Sequence, residues 1–189
     1  MAEMKVKGIL LKSLREFVLE NFGEEGFNKL QEMLSEGSRK LLKAPLMDAA
    51  SYDGNLFLEI NRKICETFGE GKPEFARKLG AFSAKKSVRG AFKFILKLAS
   101  IPWALRRGET IYKMYYPNMG KLKIIKIDEE KSEGIVAIDD VPFKDPYFEE
   151  RIAGWIEEMG KILGSKKASI EIKKSVFKGD DKIEYFISW

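Results

Sequence analysis

The amino-acid sequence predicts an α+β chain in which a helical N-terminal half is followed by a β-β-α-β-β antiparallel sheet. Apolar residues recur at three- and four-residue spacings until about residue 117, and short β-branched runs take over from Lys121. Between them, Pro117-Asn118-Met119-Gly120 forms a turn signal. With 44% hydrophobic residues, the 189-residue chain can fill a core. The reading is one domain, 1–189, with a helical part over 1–117 and sheet plus helix over 118–189.

Taken in order, Leu10, Leu11, Leu14, Phe17, Val18 and Phe22 form one stripe, predicting a helix over Gly8–Phe22 that Gly23 ends. A turn-rich stretch, Glu24–Leu34, places Phe27, Leu30 and Leu34 on one stripe, and a short helix runs from Gly37-Ser38 to Leu42 before Pro45. Residues 44–52 read as a loop. Asp53 is a suitable N-cap for Asn55–Phe68, and Pro73 opens a helix to about Leu79. Ser83 is expected to cap the next helix, which runs to about Ala99 with Val88, Phe92, Ile95 and Leu96 inside. Pro102 suits the first turn of a further helix, which Gly108 interrupts. Leu122–Ile127 and Gly134–Asp139 then read as a hairpin, Tyr147–Leu163 as an amphipathic helix, and Ala168–Val176 with Lys182–Trp189 as a second hairpin across Gly179-Asp180-Asp181.

The sequence has no histidine and one cysteine. A disulfide framework is thereby excluded, and a reducing cytoplasm is the expected compartment. The apolar run Ile9-Leu10-Leu11 is broken at Lys12 and Arg15, too soon for a signal-peptide core or a membrane span. The net charge of +5 is uneven: residues 72–107 hold 10 basic residues and 1 acidic residue, while the flanking segments are each slightly acidic.

Within the basic segment Lys85, Arg89, Lys93 and Lys97 follow one another every four residues on one helix face, with Lys86 alongside. Such a face meets acidic helices of the same molecule, meets an anionic partner, or is simply solvated. Nucleic acid is the least favoured partner, because Phe92 and Phe94 are better explained by packing than by base stacking. Cys65 reads as a small buried apolar residue, or else as a thiol that lysine or arginine would have to activate.

Trp103, Tyr112, Tyr115 and Tyr116 gather at the junction of the two halves, with Met114 and Met119. They suit either a core or a mainly apolar cavity with a few polar handles, and Arg106 and Arg107 are placed to meet a ligand carboxylate or to face water. Enzymatic machinery is thin. The acid pairs Asp139-Asp140, Glu149-Glu150, Glu157-Glu158 and Asp180-Asp181 read as solvated, and there is no Gly-rich phosphate loop, no Ser-His-Asp set and no metal-ligand cluster.

Several short motifs carry a likeness across nearly the whole chain: Val6-Lys7-Gly8, Phe22-Gly23-Glu24-Glu25-Gly26, Leu79-Gly80-Ala81-Phe82, Gly154 and Gly164 around the last helix, and Ile187-Ser188-Trp189. In their order the chain resembles the haem-nitric-oxide-binding-like fold, shared with 4-vinyl reductase domains and vesicle-tethering subunits, and within it a family of uncharacterised bacterial proteins best populated in myxobacteria. The resemblance implies a pocket between the helical and sheet halves. It also implies an iron-binding histidine and a Tyr-x-Ser-x-Arg motif gripping the porphyrin propionates, and this sequence has neither.

The expectation is therefore a non-catalytic, sensor-like domain that binds a small apolar or carboxylated molecule through Trp103, Arg106, Tyr112, Tyr115 and Tyr116. It is expected to carry no cofactor and no metal, with His-ligated haem excluded. The alternative is an interaction module docking an acidic protein partner through the basic helix 84–99, at Lys85, Arg89, Lys93 and Lys97. A homodimer is compatible with either.

Overall fold

A computed structural model describes residues 3–88 and 99–189. The chain opens with β1 (Lys5–Lys7), followed by α1 (Gly8–Met33), α2 (Glu36–Lys43), β2 (Ser51–Asp53) and α3 (Gly54–Phe68). A 3₁₀ turn, Pro73–Phe75, leads into α4 (Ala76–Ser87). After the segment 89–98 come α5 (Ile101–Arg106) and α6 (Gly108–Tyr115), then β3 (Lys121–Asp128), β4 (Glu133–Asp139), α7 (Pro146–Ile162), β5 (Ser169–Lys174) and β6 (Ile183–Ser188).

The helical half follows the apolar spacing closely. Gly23 does break α1, at φ 64° and ψ −168°, but helix resumes at once on its far side, so the stretch read as turn-rich is the second arm of a kinked helix. Asp53 caps α3, its carboxylate accepting the Asn55 amide at 2.8 Å. The segment read as a loop contains β2, which pairs antiparallel with β1 through Lys5–Asp53, Val6–Tyr52 and Lys7–Ser51. Strands of three residues are too short to show a period, which is why they escaped notice.

Ser83 is corrected from helix cap to helix interior. Its hydroxyl is buried and accepts a 2.6 Å hydrogen bond from Arg151 of α7, while sharing a 2.6 Å bond with Ser13 of α1. The helix passes through Gly80 without a break because that glycine is where α4 meets α7. A Cβ on Gly80 would lie 2.0 Å from the Arg151 carbonyl oxygen, and one on Gly154 would lie 2.2 Å from the Arg77 carbonyl oxygen. Two glycines thus let the helix backbones touch. The Arg151 guanidinium, 1% exposed, also donates to the Asn61 side-chain oxygen at 3.3 Å and lies 5.1 Å from the Phe57 ring, tying α1, α3, α4 and α7 together. The helix predicted from Ser83 to Ala99 is described only as far as Ser87; Arg89, Lys93 and Lys97 lie outside the described residues.

The four-stranded sheet is antiparallel throughout, in the order β3-β4-β6-β5, as expected for two hairpins joined across a helix. Leu122, Val136, Ile138, Ile170, Ile183, Tyr185 and Ile187 are buried in a core continuous with the helices, and strand alternation puts the polar residues opposite. Tyr185 donates its hydroxyl to the Glu149 carbonyl at 3.0 Å and so fixes the sheet to α7. Glu149 itself is corrected from a solvated acid to a buried one. It accepts the Phe177 amide at 3.1 Å and thereby holds the turn between β5 and β6. Its neighbour Glu150 pairs with Arg77 at 2.5 Å, and Asp180 accepts the Ser175 amide at 2.7 Å. Among the described residues no helix is long and apolar enough to cross a membrane.

Candidate functional site

Helices α5 and α6 lie against the sheet and α7, and the space between them is a cavity of about 520 Å³. Trp103, Leu105, Ile111, Tyr112, Tyr115 and Tyr116 form its helical wall; Leu122, Ile124, Val136, Ile170 and Ile187 form its sheet wall; Ile152, Trp155, Ile156, Met159 and Leu163 come from α7 and its end. Trp189 completes it, so Trp103, Trp155 and Trp189, the chain's three tryptophans, all line this one space. A mainly apolar, concave space of this size is the usual form of a small-molecule site.

The three tyrosines line the cavity, and burial governs all three phenols. Tyr112 donates to the Met119 carbonyl at 2.7 Å, and burial, with the neighbouring Tyr116, pushes its phenol well above the usual range. Tyr115 shares a hydrogen bond with Ser87, and its pKa is raised mainly by burial. Burial raises Tyr116 as well, opposed by the charge and hydrogen bond of Arg151. All three therefore remain neutral phenols at physiological pH. Their rings are locked in an aromatic cluster: Tyr116 lies 6.0 Å from Phe57 and 5.4 Å from Phe148, and Tyr115 lies 6.5 Å from Trp155.

Of the residues read from the sequence as ligand-binding, Trp103, Tyr112, Tyr115 and Tyr116 line this cavity and Arg106 does not. Arg106 is the last residue of α5 and turns to Glu129 on the β3–β4 turn. Arg107, one residue on, is at the cavity rim, its guanidinium 3.8 Å from the centre of the Trp103 ring. The α7 residues were legible as an apolar face but not as a cavity wall, since periodicity identifies a buried face without saying what covers it. In the basic stripe, Lys85 pairs with Glu158 of α7 at 3.4 Å, and Lys86 with Glu16 at 2.8 Å and with Glu20. Cys65 is fully buried away from this cavity.

The architecture and its cavity define a class of fold, and solved structures identify it. A crystal structure of an H-NOX protein from S. oneidensis in the Fe(II)NO ligation state matches with a TM-score of 0.73 at 13% identity, over 96% of this chain and 98% of that one. The H-NOX domain from Shewanella oneidensis in the Fe(II)CO state, solved by NMR, matches at 0.70 and 14%, over 96% and 97%. The Fe(II) unliganded H-NOX protein from K. algicida matches at 0.68 and 12%, over 96% and 95%. The chain therefore has the haem-nitric-oxide-binding fold. No protein-family model and no curated protein matches it.

These neighbours correct one expectation. A chain without a cofactor was anticipated from the missing histidine, whereas the solved structures sharing the fold are of haem proteins, with iron free or ligated by NO or CO. The missing residue bears on how an iron would be held, not on whether the fold accommodates haem. Here the lining has broad apolar and aromatic surfaces suited to the faces of a flat macrocycle. With the tyrosines held as phenols, its remaining soft donors are the thioether sulfurs of Met114 and Met159.

Proposed function

We propose that this chain is a non-catalytic, sensor-like domain that binds an apolar small molecule in the cavity between α5–α6, α7 and the sheet. The observation that carries this reading is the cavity itself, a space of about 520 Å³ whose lining is mainly ring and aliphatic side chain, with the Tyr112 hydroxyl already bonded within the protein. Haem is the first ligand to test, because the solved proteins of this fold hold it. Its porphyrin faces would lie against Trp155, Ile156 and Met159, and a methionine sulfur would stand where an imidazole is impossible in a chain without histidine. Bound haem would supply an iron able to take a diatomic gas. The protein's own part is to enclose it, exclude water and hold the ring faces. The motif likeness to the myxobacterial family agrees with a bacterial sensor of this kind.

The test uses tryptophan fluorescence, since all three indoles border the site. Adding haem, or a haem-sized aromatic probe, to the purified protein should quench emission saturably at a 1:1 ratio, with native mass spectrometry reporting the added mass. Met159→Arg, which sets a charge against the apolar lining, should weaken both. Absence of saturable quenching by every apolar probe, or undiminished binding by the charged variant, would overturn the reading.

A further inference from the structure

We infer that the cavity accepts an amphipathic acid, an apolar body ending in one carboxylate, and that Arg107 holds the acid end at its mouth. This rests on reading the cavity as a ligand site and adds the polarity of what enters it. Among the described residues lining the space, Arg107 is the one charged side chain, and no carboxylate of the described residues pairs with it. Its predecessor Arg106 has its partner in Glu129. A guanidinium at the edge of an apolar space, facing no acid, is a site for an anion brought in by a ligand.

Its geometry is prepared for that role. Its guanidinium carbon lies 3.8 Å from the centre of the Trp103 ring, a cation–π contact that uses none of its N–H groups and leaves them for a two-pronged pair with a carboxylate. Thr110, three residues on, lines the same space and is exposed, supplying a hydroxyl beside the cation. Farther in, the Tyr112 hydroxyl is already used on the Met119 carbonyl, and the buried Tyr116 faces the cation Arg151, which has no acceptor to offer. A ligand polar group sent inward would be stripped of water and find no partner. The surface thus orients its guest, with the carboxylate at the rim and the apolar body against Trp155 and Met159.

Two probes of one shape separate charge from shape: 1-pyrenebutanoic acid and its uncharged counterpart 1-pyrenebutanol, each followed by energy transfer from tryptophan. The acid should bind at least about tenfold more tightly than the alcohol at low salt, with the difference shrinking as salt is added. Arg107→Gln should bring the acid-to-alcohol affinity ratio to about one, and Arg107→Lys should restore part of it. Arg107 is exposed, so the fold does not depend on it. Equal binding of acid and alcohol by the wild-type protein, or a preference that survives Arg107→Gln, overturns the head-group assignment while leaving the cavity reading intact. If neither probe binds, the cavity reading fails as well.

Discussion

The contact between α4 and α7 makes a sharp prediction, because it depends on the absence of a single atom. Replacing Gly80 by alanine places a Cβ 2.0 Å from the Arg151 carbonyl oxygen and 2.7 Å from the Trp155 amide nitrogen. Both are backbone atoms that no rotamer change can move. To reach the 3.4 Å of an ordinary contact the helices must part by more than 1 Å, and the same displacement would loosen the Ser83–Arg151 hydrogen bond and the Trp155 wall of the cavity. Alanine in place of glycine in a helix gains about 1 kcal/mol from propensity. Overpacking against backbone costs about 1–3 kcal/mol or more, to which a strained charge-assisted hydrogen bond adds about 1.5–3 kcal/mol. The expected balance is a net loss of about 1.5–5 kcal/mol. Gly37 provides the control: it too lies within a helix, but an added Cβ meets only a Leu56 methyl at 3.4 Å, so Gly37→Ala should stabilise by about 0.5–1 kcal/mol. Urea denaturation of the two variants beside the wild type measures both. A Gly80→Ala protein as stable as the wild type would refute the close crossing and the placement of the cavity wall built on it.

Three further outcomes follow from buried polar groups. Burial holds Glu149 above the ordinary carboxylate range, aided by the charge of Glu150 and opposed by its bonds to Ser175, Phe177 and Val176. Its favourable contribution is therefore complete below the unfolded value near 4.5 and fades as pH rises through the higher folded value. Glu149→Gln removes that titration while keeping an acceptor for the Phe177 amide, so its melting temperature should gain on that of the wild type between pH 4 and pH 7; parallel curves would contradict this. Ser83→Ala deletes a 2.6 Å acceptor of Arg151 and should cost about 1.5–3 kcal/mol by denaturant titration, and a change below about 0.5 kcal/mol would count against the network. Burial pushes the Cys65 thiol up to about 12, so a thiol reagent at pH 8 should label it only at the rate of unfolding; stoichiometric labelling of native protein within minutes would be inconsistent with the packed α3.

Much of this architecture was legible because it is periodic. The α1 stripe and the alternation of Ile183, Tyr185 and Ile187 place apolar side chains on the buried face, and Asp53 caps α3 as its position suggested. What the sequence concealed depends on pairing between distant segments. Ser83 looks like a helix cap in isolation, and only the approach of Arg151, 68 residues away, makes it an interior hydrogen-bond acceptor. Glu149 looks solvated beside Glu150, yet the amide it accepts belongs to Phe177, 28 residues on. The site divides in the same way. Four aromatic positions between 103 and 116 could be gathered because they are neighbours in sequence; Trp155, Met159 and Trp189 join them only through the fold. The choice between Arg106 and Arg107 turned on Glu129, whose position on the hairpin turn no local pattern discloses.

An apolar space inside a protein persists only when its walls cannot collapse into it, since interiors otherwise pack to crystalline density. Here the walls are pinned from behind. Tyr112 is anchored to the Met119 carbonyl, Tyr116 is packed against Phe57 and Phe148, and behind the sheet wall Tyr185 is bonded to the Glu149 carbonyl. Arg151 is held by Ser13, Ser83 and Asn61, on three separate helices. The helical half and the sheet are thus fastened behind the cavity walls, so the space between them is held open by bonds that a collapsing side chain would have to break.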